Sequence, residues 1–145
     1  MKTSRVLLWV VPFALLTAAA GGWYFSHHDQ PETSPTELAE GALAPVKVPD
    51  SLTDQEQLGK RAYDAVCAAC HGANGQGQDG VAPLVHVIYE PSHHGDRAFL
   101  LAAQNGVRGH HWPFGNMPPV EGITQADVMD IVAYIRRLQR ENGID

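Results

Sequence analysis

The chain has only two cysteines, Cys67 and Cys70. That scarcity excludes a disulfide framework, which needs several pairs, and counts against a structural zinc site, which normally draws four Cys or His ligands from paired clusters. Basic residues are also in short supply: 10 Lys and Arg stand against 16 Asp and Glu, for a net charge of −6. Nucleic acid is therefore excluded as a partner class. No stretch sustains the apolar–polar alternation of a strand, which removes the βαβ setting that a thioredoxin-like redox pair requires. What remains is a chain of 145 residues, room for one ordinary domain, whose first third lacks globular character.

Cys67, Ala68, Ala69, Cys70 and His71 form a C-x-x-C-H run, the sequence form of covalent c-type haem attachment. Two thiols three positions apart can add across the two vinyl groups of one haem, and the adjoining imidazole then serves as the proximal ligand of the iron. The competing readings are a local disulfide or an incidental metal site. An apolar core of this size gives modest stability, so a buried haem would act as both core and staple.

Residues 6–25 are a run of 20 without a charge, preceded by Lys2 and Arg5 and closed by Trp23, Tyr24 and Phe25. The length suits a membrane span; the basic flank predicts a cytoplasmic N-terminus, and the aromatics suit the opposite interface. The alternative is a secretory signal cut near Ala18, Ala19 and Ala20. Either way the remainder is exported. Residues 26–50 carry Pro31, Pro35, Pro45 and Pro49 among acidic and hydroxyl side chains and read as an extended tether, with His27 and His28 a solvated pair at its start. The expected organisation is a membrane anchor or signal segment over 1–25, a Pro-rich linker over 26–50 and a folded domain over 51–145.

Within that domain, Thr53 and Glu56 have capping-box spacing, and Leu58, Ala62, Tyr63 and Val66 follow at helical intervals. A first helix is predicted from Thr53 into the cysteine motif. Asp96 is positioned to cap a second, short helix carrying Phe99, Leu100, Ala102 and Ala103, with Asn105 and Gly106 as its stop. Thr124 and Asp127 open another, whose apolar stripe of Val128, Ile131, Val132, Ile135 and Leu138 runs to Asn142 and Gly143. Gly-rich and Pro-rich loops, including 72–80 and 110–122, separate them. The fold class is all-α, with about three main helices around a covalently bound haem and an N-terminal transmembrane helix.

Taken together, these features resemble a class I cytochrome c of the bacterial monohaem type. The resemblance rests on Gly59 and Tyr63, the 67–71 motif, Pro83 followed by Leu84, Met117 followed by Pro118, and Ala133, Tyr134 and Ile135. It implies that the first and last helices cross at Gly59, close to Ile131 and Tyr134. It also implies haem c held by Cys67 and Cys70, iron bound by His71 and Met117, and the carbonyl of Pro83 accepting a hydrogen bond from the His71 ring. Met129, near the apolar stripe of the last helix, is a poorer ligand candidate than Met117 and suits a core or interface role. Trp112 and Asn116 could donate to a haem propionate or near the methionine sulfur, and Tyr63 and Tyr89 read as core.

Histidines are unusually frequent around the second helix: His86, His93, His94, His110 and His111. Imidazoles are the usual ligands of copper and zinc, so one of the last two could replace Met117 on iron, or the group could hold a second metal. Against that stands the divergence of adjacent side chains in extended chain. The function expected is a membrane-tethered, extracytoplasmic cytochrome carrying one electron at a time. Its partners would be redox proteins such as a quinol-oxidising complex, a terminal oxidase or a periplasmic dehydrogenase, and it would not itself be an enzyme. The alternatives are a haem enzyme with an open or labile axial position for small ligands, and a haem and copper-handling or sensor module.

Overall fold

The computed structural model describes residues 43–145. The expected anchor or signal over 1–25 and most of the expected linker lie outside these residues; within them, no helix is long and apolar enough to cross a membrane. Helix α1 spans Asp54–Val66, α2 spans Ala68–His71, α3 spans Asp96–Asn105 and α4 spans Gln125–Glu141. Among the described residues there is no strand, only the isolated bridges Gln78 to Val81 and Val107 to Met117. The all-α expectation holds for this part of the chain.

The helix starts predicted at Thr53 and Thr124 both form, each as a capping box. Thr53 Oγ1 accepts from the Glu56 N–H, and the Glu56 carboxylate accepts from the Thr53 N–H at 2.8 Å. At α4 the Thr124 hydroxyl oxygen accepts from the Asp127 N–H, and the Asp127 carboxylate accepts from the Thr124 N–H at 3.0 Å. Such pairs satisfy donors that a helix start otherwise leaves open. The first helix does not run unbroken into the motif, since α1 closes at Cys67 and α2 adds one further turn. At α3 the cap is Gly95 rather than Asp96. The reason is tertiary: the Asp96 carboxylate turns to Arg136 of α4, 2.8 Å away.

The most extensive helix contact is α1 against α4. They meet at Gly59, where a Cβ would lie 1.9 Å from the Asp130 carbonyl oxygen and 3.0 Å from Tyr134 Cβ, so only a residue without a side chain lets the backbones approach this closely. Around the crossing pack Tyr63, Val85, Ile131, Tyr134, Ile135 and Leu138, and a smaller cluster of Ala103, Val128 and Val132 seats α3 on α4. Tyr63 and Tyr134 are fully buried, with ring centroids 5.7 Å apart. Each hydroxyl finds a partner in the loop after the motif: Tyr63 donates to the Gly72 carbonyl at 2.8 Å, Tyr134 to the Asn74 side chain at 2.7 Å. Burial raises both phenol pKa values, that of Tyr134 to about 12, so both remain donors. Tyr63→Phe is expected to cost about 1–3 kcal/mol by leaving the Gly72 carbonyl with only the long 3.4 Å bond from the Gly75 N–H, read as a lower denaturant midpoint in urea.

The chain ahead of residue 51 is not free of the domain. Ala44 N–H donates to the Gln76 carbonyl at 3.1 Å, and the Asn142 side chain bonds both the N–H and the carbonyl of Lys47. Val46 packs on the core and Pro49 is buried. Residues 43–50, placed with the linker on composition, thus belong to the packed unit, because an extended prolyl segment needs no helix of its own when the loop at Gln76 and Asn142 at the end of α4 supply its partners.

Candidate functional site

Cys67 ends α1, and its carbonyl accepts from the N–H groups of both Cys70 and His71, at 3.1 and 2.9 Å. This single helical turn places residues i, i+3 and i+4, the two cysteines and the histidine, on one face. Both thiols are free. Burial, and then the proximity of Cys70, pushes the Cys67 thiol up to about 11. A redox-active C-x-x-C pair works through a lowered pKa; the Cys67 thiol is shifted the opposite way, and no strand accompanies the motif among the described residues.

The His71 ring is oriented by a hydrogen bond from Nδ1 to a carbonyl at 2.9 Å. The acceptor is Ala82, not Pro83 as the resemblance implied. Pro83, fully buried, follows the carbonyl that faces the imidazole, so it shapes the turn that presents the acceptor. Because a carbonyl can only accept, Nδ1 carries the proton and Nε2 is left with its lone pair, the tautomer that a metal-ligating histidine adopts. Burial lowers the His71 pKa, only partly offset by the Ala82 hydrogen bond, which favours the neutral, ligating form.

Met117 is held by a different set of bonds. Its N–H and carbonyl exchange 2.9 Å hydrogen bonds with Val107, just beyond α3, and the Val120 N–H returns to the Ala103 carbonyl. The turn that permits this is Gly106, at φ +73°, where a Cβ would lie 2.5 Å from the Met117 carbonyl oxygen. Asn116 accepts from the Gly109 N–H, and the Trp112 indole N–H donates to the Tyr89 hydroxyl at 3.1 Å. Of the two side chains considered for a propionate or the methionine sulfur, Trp112 thus spends its donor on Tyr89, while Asn116 is engaged through its amide oxygen. Met129 is 36 % exposed on α4, outside both apolar clusters.

Residues 56–139, more than half of the chain, match the family model for cytochrome c. The chain belongs to the cytochrome c family. No curated protein matches it. Members of the family carry electrons and bind iron-containing haem c covalently, and the residues here fit that group. Two unpaired thiols on one turn suit thioether attachment, and a neutral imidazole with its outer nitrogen anchored suits the iron.

The reading from sequence overlooked two residues of this domain. Arg136, 7 % exposed, donates to Asp96, to the carbonyls of Tyr89 and His94, and to Gln139. Gln139, fully buried, donates to the carbonyls of Leu84 and Tyr89. Together they bind the loop that follows His71's acceptor to the last helix. The available signal was position: Arg136 lies four residues after Val132, on the same apolar stripe.

Proposed function

We propose that this cytochrome is a one-electron carrier with a saturated iron, tethered to the cytoplasmic membrane and working on its outer side. The observation that supports the reading most is His71, its tautomer set by Ala82 for ligation, and Met117, held at both backbone groups by Val107, is the thioether assigned to the second position. Bound haem supplies an iron couple that exchanges single electrons, and Met/His ligation raises its potential and leaves no coordination position for a substrate. The protein's part is to keep His71 neutral and oriented, and to bring Met117 to a defined position on a rigid loop. The 6–25 segment supports tethering by its length and its aromatic end.

Partner docking is expected to be brief and to use little area, as in weak redox complexes. The charge of −6 favours basic patches on a quinol-oxidising complex, terminal oxidase or periplasmic dehydrogenase. Ligation is tested by the oxidised spectrum of the haem-loaded protein. The methionine-to-iron charge-transfer band is expected in the parent and absent in Met117→Ala; a parent spectrum without it removes Met117 as the ligand. A salt wash of membranes tests tethering, because a spanning helix survives it and an electrostatic contact does not.

A further inference from the structure

Histidines from two separate segments converge at one place outside the haem motif. His93 and His94 come from the turn before α3, His110 and His111 from the loop that leads to Met117. One ring nitrogen from each of His93, His94 and His111 lies within 4.8 Å of the other two. The Nε2 atoms of His93 and His111 are 3.4 Å apart. Two imidazoles on one tetrahedral cation, each at about 2.0–2.1 Å, hold their nitrogens about 3.3–3.4 Å from each other. One edge of a coordination tetrahedron is therefore already set. The His110 ring adjoins it, 4.2 Å from His111 between centroids.

The cluster is held in place from behind. His94 Nδ1 donates to the Ile88 carbonyl at 2.7 Å, which leaves Nε2 as a bare donor and orients the ring, as outer hydrogen bonds do for metal-ligating histidines. The N–H groups of His93 and His94 both bond the Glu90 carbonyl, at 3.1 and 2.8 Å. In that tight turn the neighbouring rings sit 4.6 Å apart, which removes the divergence expected of extended chain. Buried Arg136 clamps the His94 carbonyl to α4, while Trp112, next to His111, is bonded to Tyr89 and stacked on Phe114. All three donors are imidazoles with no carboxylate among them, a set that suits copper and zinc rather than calcium or magnesium.

The geometry points to a second metal site, separate from the haem ligands, in which His93, His94 and His111 bind one copper(II) or zinc(II) ion and His110 or water takes the remaining position. Copper(II) is the tighter of the two by the general order of divalent affinities.

The test uses untagged, haem-loaded, full-length protein carrying His27→Ala and His28→Ala, so that the N-terminal pair cannot contribute. Copper(II) chloride or zinc sulfate is added, excess metal is removed, and metal per haem is counted. One ion per haem is expected, with nitrogen hyperfine structure in the copper EPR spectrum and competition between the two metals. His93→Ala and His111→Ala, both at exposed positions, should each weaken binding by more than about 100-fold, beyond the 10–100-fold loss of a merely supporting partner. Their haem spectra should stay as in the parent. No retained metal, or equal retention by a His93→Ala/His111→Ala double variant, overturns the site. A haem spectrum altered by His111→Ala overturns it too, by placing that imidazole on iron.

Discussion

Gly59→Ala is expected to destabilise the haem-loaded protein by about 3 kcal/mol or more, at or above the upper end of ordinary overpacking costs. Two effects oppose each other. Alanine is the better helix former by about 1 kcal/mol, so at an open helical position the change would stabilise. Here the new methyl group would lie 1.9 Å from the Asp130 carbonyl oxygen and 2.5 Å from the carbonyl carbon. Both are backbone atoms within α4, so no side-chain rotation relieves the clash, and α1 and α4 must move apart. Separation loosens the packing of Tyr63 against Tyr134 and Ile135, and with it the turn bearing Cys67. Against a total stability of about 5–15 kcal/mol for an ordinary domain, such a loss is severe. Urea unfolding decides the matter: a fall in midpoint is expected, and an unchanged or raised midpoint would falsify the close crossing.

Arg136→Ala is expected to cost about 3 kcal/mol and to weaken metal binding at the histidine cluster. The ion pair with Asp96 is the smaller part, because Asp96 is 54 % exposed and such pairs contribute about 0–1 kcal/mol. The larger part is hydrogen bonding at a buried guanidinium that spans Tyr89, His94 and Gln139 and lies 5.0 Å from the Phe99 ring centroid. Without it the His94 carbonyl loses its clamp, and each buried acceptor left unpaired costs about 1–3 kcal/mol. Arg136→Lys should rescue little, since one ammonium cannot reproduce a planar fork. Asp96→Asn should be nearly silent. Comparable losses in Asp96→Asn and Arg136→Ala would mean that the charge pair, not the carbonyl clamp, carries the stability.

Legibility followed the distance along the chain over which each feature is decided. Thr53 with Glu56 and Thr124 with Asp127 are three residues apart, and both helix starts came out as read. Asp96 is as good a capping residue by type, but its carboxylate is claimed by Arg136, 40 positions away, so Gly95 caps instead. At His71 the need for a carbonyl partner was foreseeable from the chemistry of a ligating imidazole. Which carbonyl it is depends on how the 82–84 turn packs, and Ala82 takes the place expected for Pro83.

By itself the sequence determined the haem-attachment turn and the capped starts of the first and last helices, because each depends on residue type at short, fixed spacing, whereas the crossing at Gly59 came only with the family resemblance. Only the tertiary structure decided that residues 43–50 pack on the domain, that Arg136 is a buried clamp, and that His93, His94 and His111 share one place. These depend on where loops return to α4. Loop direction is set by hydrogen bonds between distant residues, and such partners leave no period or motif along the chain.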